Sequence, residues 1–112
     1  MNKFFLFILS VTFFTLLNSN AAIYKGQKIF VKTCVQCHEE GQAFIAKKKI
    51  RTWKKLMKKK GQPLADLHLK SKDAKKSWKF FKSKSKYTKK TKHLKQFLVE
   101  YAKDSGNVPA CN

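Results

Sequence analysis

The sequence predicts an all-α fold. Apolar residues recur at helical spacing in several stretches after residue 22, no stretch alternates with period two, and residues suited to helix caps and stops fall between the stretches. No internal repeat and no Pro/Gly/Ser-rich linker divides residues 22–112, which therefore read as one small domain.

The elements follow in order. Asn2 and Lys3 give a short positive start, Phe4 to Leu17 is an apolar run with Ser and Thr, and Ser19-Asn20-Ala21 supplies small residues for cleavage. Residues 1–21 thus predict a secretory signal peptide and a periplasmic destination. The run is shorter than the ~20 residues of a membrane span, which leaves an uncleaved anchor as the alternative. Tyr24 to Lys32 places Gly26 and Phe30 four residues apart, with Ile29 beside Phe30, and predicts a short helix. Ala46, Ile50, Trp53 and Met57 predict one apolar face of a lysine-covered helix that Gly61 ends. Pro63 suits the first turn of a short helix through Leu64–Leu69. Ser71 and Thr88 are expected N-caps of two closing helices. The first turns Ala74, Trp78 and Phe81 inward; the second, Thr88 to Asp104, carries Leu94, Phe97, Leu98 and Tyr101 on one stripe, with Gly106 at its stop. Asn107 to Asn112 reads as a tail.

About ninety residues after the signal segment form a core of marginal stability on their own. Three cysteines close no disulfide framework, so a bound cofactor is the better source of extra stability. The charge is one-sided, 26 Lys plus Arg against six Asp plus Glu, and between Lys47 and Lys95 only Asp66 and Asp73 interrupt the positive series. A solvated face accounts for lysines but not for the scarcity of carboxylates, and an acidic or polyanionic partner is implied. Nucleic acid fits poorly, because the chain is expected to be exported and has no base-reading motif. An acidic protein or an anionic membrane surface suits the compartment.

The chemistry concentrates in Thr33-Cys34-Val35-Gln36-Cys37-His38. Cys-x-x-Cys-His is the attachment pattern of c-type haem: on a helical turn two thiols share a face and can add to the two porphyrin vinyl groups, while the next residue turns its imidazole under the iron as proximal ligand. Structural zinc would need two further ligands. Cys111, His68 and His93 exist, but none forms a second close pair. A thioredoxin-like dithiol expects a strand before the pair, and none is predicted.

Gly26-Gln27-Lys28-Ile29-Phe30 ahead of Cys34-Val35-Gln36-Cys37-His38, together with a last helix carrying Phe97, Leu98 and Tyr101, resembles the class I cytochrome c family. The likeness covers both ends of the domain and leaves the middle unmatched. It implies a small helical domain around one covalently attached haem c, with Cys34, Cys37 and His38 as cofactor-binding residues and His38 as proximal iron ligand. It also implies electron transfer to acidic redox proteins rather than enzymatic turnover, and packing of Gly26 and Phe30 across Tyr101 or Phe97. The family usually supplies a sixth ligand from a Met in the loop before the last helix. Here the one Met after the signal segment is Met57, too early in the chain and on an apolar face beside Trp53, where core filling explains it equally well. His68, between Leu67 and Leu69, lies nearer the expected place and ranks first as distal ligand, with Met57 second and an open iron third. An exposed or hydrogen-bonded role is the alternative for His68. His93 is expected at the surface, and Cys111 is given no essential role. The rival functions are a haem-based sensor of NO, CO or peroxide with a vacant distal site, and a non-haem basic protein bound to membranes or acidic polymers.

Overall fold

Gly26 decides how the two ends of the domain meet. It lies in a helix over residues 20–33 (α1), and a Cβ added to it would collide with the His93 carbonyl and lie 2.6 Å from Phe97 Cβ. Only glycine lets α1 approach the last helix this closely. One turn further on, Phe30 meets Phe97 with ring centres 5.8 Å apart; Tyr101 instead packs edge-on against Phe97. The computed structural model describes residues 20–108. The expectations for Met1–Ser19 and for Cys111 lie outside the described residues.

Among the described residues the fold is all-α, with no strand. After α1 come a 3-10 segment Gly41–Lys47, α2 (Ile50–Leu56), α3 (Lys58–Leu69), a second 3-10 segment Lys72–Ser77, α4 (Trp78–Lys82) and α5 (Lys84–Glu100). No described helix is long and apolar enough to cross a membrane.

Several boundaries differ from expectation, among them the end of α5 at Glu100 rather than Asp104. The continuous helix through Ala46 and Met57 is broken, because Lys48 (φ −118°, ψ 143°) and Lys49 (ψ 159°) are extended. The break is stabilised from the far end of the chain: Lys103 N–H donates to the Lys48 carbonyl at 2.9 Å, and Asp104 Oδ1 accepts the Ile50 N–H at 2.7 Å. Asp104 thereby caps α2 in place of a local residue. The stop falls before Gly61, since Lys59 (φ 49°) and Lys60 (φ 53°) join Gly61 (φ 74°) in the left-handed region. Regular helix resumes only at Gln62, which puts Pro63 in the first turn as expected. Finally, α5 begins at Lys84 rather than after Thr88. Thr88 sits inside it and donates to the Lys84 carbonyl, while buried Tyr87 supplies an apolar anchor for the added turn. Ser71 precedes a 3-10 segment rather than an α-helix and makes no side-chain cap bond.

The apolar residues collect into two clusters. The first joins Phe30, Ile45, Trp53, Met57, Leu94, Phe97, Leu98 and Ala102, and so ties α1, α2 and α5. The second is smaller: Ala65, Phe81 and Tyr87, with Leu64, Leu69 and Phe80 against them, from α3, α4 and the start of α5. Its aromatic rings form a triangle with centre distances of 5.0 to 5.2 Å.

Candidate functional site

A cavity of about 330 Å³ lies between the clusters, lined by Phe30, Trp53, Leu94 and Leu98 of the first and by Leu64 and Phe81 beside the second. That volume is within the ~300–1,000 Å³ typical of small-molecule and cofactor pockets. Cys34, Cys37, His38 and His68 all line it.

The chain delivers the first three of these by a single turn. Cys34 N–H still bonds to the Phe30 carbonyl at 2.8 Å, continuing α1, and then Cys37 and His38 both donate to the Cys34 carbonyl at 3.1 and 2.9 Å. Both thiols and the imidazole are thereby gathered on the cavity side. The His38 ring stacks on Phe44, with centres 4.0 Å apart and planes 18° apart. Phe44 is itself held edge-on by Trp53, whose indole N–H donates to the Ile45 carbonyl at 2.9 Å.

His68 is fixed from three sides. Its Nδ1 is 2.7 Å from the Leu64 carbonyl, its ring stacks on Phe81 at 4.3 Å and 24°, and its own carbonyl accepts the Trp78 indole N–H at 2.8 Å. A carbonyl can only accept, so Nδ1 carries the hydrogen and Nε2 keeps its lone pair. The centres of the His38 and His68 rings are 6.2 Å apart, with the planes at 84°.

The electrostatics favour the neutral forms of His38 and Cys34. Burial, then the charge of nearby His68, holds the His38 imidazole below its ordinary value; Glu40 opposes this and Lys48 adds to it. A depressed imidazole stays unprotonated at neutral pH and retains a lone pair for a metal. The Cys34 thiol is pushed up to about 11, chiefly by burial, against the lowering effect of the Thr33 hydroxyl 3.6 Å from its sulfur. Cys37 is exposed.

The other residues singled out in the sequence lie elsewhere. Met57 is 3% exposed, belongs to the first cluster and does not line the cavity. His93 is half-buried on α5 rather than at the surface, and its Nδ1 is buried without a hydrogen-bond partner among the described residues. No group of three His, Cys, Asp or Glu residues among the described ones is placed to share a metal ion, which a structural zinc site would need. Four features were not read from the sequence as parts of the site: Phe44, the Leu64 carbonyl, and Trp78 and Phe81, which were expected only to face inward. The aromatic run Trp78-Lys79-Phe80-Phe81 was a visible signal for two of them; Phe44 is a single aromatic with no pattern around it, and the carbonyl depends on the i−4 geometry of α3.

The chain matches no protein-family model, no curated protein and no solved structure.

Proposed function

We propose that the protein is an exported monohaem c-type cytochrome-like domain that carries electrons. The observation behind this reading is that one apolar cavity collects both thiols of the Cys-x-x-Cys-His motif and the imidazole that follows them. The residues suit haem c. Cys34 and Cys37 would hold the porphyrin as thioethers, each S–H adding across a vinyl group to give a C–S and a C–H bond with no oxidant required. His38, stacked on Phe44 and held by burial below its ordinary pKa, would offer a ring nitrogen to the iron. The apolar walls exclude water and set a low-dielectric surround. The bound haem would supply an iron that cycles between two oxidation states.

The cofactor also answers the stability problem. An open apolar pocket of about 330 Å³ leaves its walls short of packing partners, and a group filling it would add apolar contact to a domain whose own core is marginal.

The lysine-rich surface fits an acidic redox protein met in a small, transient interface. Charges more than a Debye length apart, ~8 Å at physiological salt, are screened. The rate of electron exchange with an acidic partner should therefore fall steeply as salt is added, while exchange with a neutral small oxidant changes little. The exposed run Lys58-Lys59-Lys60 is the first place to neutralise. Tight binding to anionic vesicles with a salt-independent exchange rate would assign the lysines to a membrane surface instead.

The deciding experiment is the intact mass of the exported protein made beside a working haem-ligation system. It should equal the chain from about Ala22 onward plus one haem, a cleavage position expected from the small residues before it. An unmodified mass overturns the proposal and leaves the non-haem basic protein as the reading.

A further inference from the structure

We infer that His68 is the second axial ligand of the iron, and that its ring crosses the ring of His38 at close to a right angle, each plane being set by a stacked phenylalanine. The inference rests on the haem reading and adds to it the coordination state, the orientation of the ligands and the residues that impose it.

Spacing carries the first part. Two metal–imidazole bonds of ~2.0–2.1 Å, plus ~1.2 Å from each donor nitrogen to its ring centre, place the centres of two trans imidazoles ~6.4 Å apart. The rings of His38 and His68 stand 6.2 Å apart on the same cavity. The tautomer agrees: with Nδ1–H given to the Leu64 carbonyl, the His68 lone pair is on Nε2, and the hydrogen bond makes that nitrogen a better donor. Met57, the alternative, is enclosed in the first cluster away from the cavity.

The second part comes from what holds each ring. His38 lies flat on Phe44 and His68 lies flat on Phe81, with tilts of 18° and 24°. Neither imidazole can turn out of its present plane without losing its stacking, and the Leu64 hydrogen bond further restrains the His68 ring. The 84° between the imidazole planes is therefore imposed by two separate aromatic supports. A six-coordinate iron of this kind is closed to small ligands, and its potential lies below that of a Met-ligated one.

Crossed imidazole planes bring two iron d orbitals close in energy. The ferric protein should then show a strongly anisotropic low-spin electron paramagnetic resonance spectrum with one dominant g value. Parallel planes give a rhombic three-line spectrum instead. The experiment uses the haem-loaded full chain, with covalent haem verified by mass in every sample. The parent should be low-spin, strongly anisotropic and unreactive to CO. His68→Ala should become high-spin and bind CO. His68→Met, which retains a ligand and guards against a folding failure in the alanine variant, should stay low-spin, gain the red charge-transfer band of Met ligation and shift to higher potential. Phe81→Leu should keep the low-spin iron but move the spectrum toward the rhombic form. A haem-bearing His68→Ala that remains low-spin and closed to CO overturns the ligand assignment, and a rhombic parent overturns the crossed geometry. A protein lacking haem fails at the mass measurement, before either point is reached.

Discussion

The two apolar clusters differ in what they need from outside themselves. The first draws eight buried residues from both ends of the chain and closes directly, Phe30 on Phe97 and Trp53 on Ile45. The second has three buried residues, sits on short helices, and is held at one edge by a left-handed turn in which two lysines adopt a conformation costing each ~1–2 kcal/mol. One cluster is a core. The other is a wall of the cavity, with fewer buried residues behind it.

Replacing both Cys34 and Cys37 by Ala breaks that contrast most severely. On the proposed haem reading the double variant loses the group that fills the cavity, and most of the helical circular dichroism should be lost. Residues 62–82 should be the least protected in hydrogen exchange; protection there equal to that of α5 would show that the wall stands alone. Phe97→Ala should cost ~3–5 kcal/mol in chemical denaturation of the haem-loaded protein, the usual loss for a buried aromatic. Tyr87→Phe has a smaller effect. The hydroxyl is buried and donates to the Gly61 carbonyl at 2.7 Å, and removing it should cost ~1–3 kcal/mol while leaving the haem spectrum unchanged. The smallest effect has the opposite sign: Lys60→Gly relieves one left-handed lysine and should raise the stability by ~1 kcal/mol. A loss at Lys60→Gly would mean that the lysine side chain contributes more than its backbone costs.

The features legible in the sequence were those with short-range causes. Gly26 and Phe30 on one helical face, the thiol pair followed by His38, and Pro63 opening a short helix all depend on neighbouring residues, and the structure has each of these in place. The misplaced boundaries have distant causes. Lys48 and Lys49 are good helix formers by propensity, and only Lys103 and Asp104, half a chain away, explain their extended backbone. The left-handed Lys59 and Lys60 likewise have no local signal; Tyr87 reaches over from α5 to the carbonyl of the next residue. The Thr88 cap failed because helix-competent residues from Lys84 on are followed by an aromatic that finds a buried place. At the site, His68 stood out by its place in the sequence. The stacking of Phe44 on His38 and of Phe81 on His68 did not, because stacking under a ring is a property of two elements.

The close crossing of α1 and α5 at Gly26 also sets an order of assembly. Bringing residue 30 to residue 97 closes a loop whose entropy costs ~(3/2)RT ln n, about 4 kcal/mol at this length before any constant. No part of the first cluster can recover that loss until α5 has been synthesised and delivered. Cys34 and Cys37 precede Lys84, the first residue of α5, so they are synthesised before the helix that closes the first cluster. Under the function proposed above, a porphyrin would be offered an open peptide rather than a finished pocket, and the arrival of the last helix would close the cavity over a group already attached.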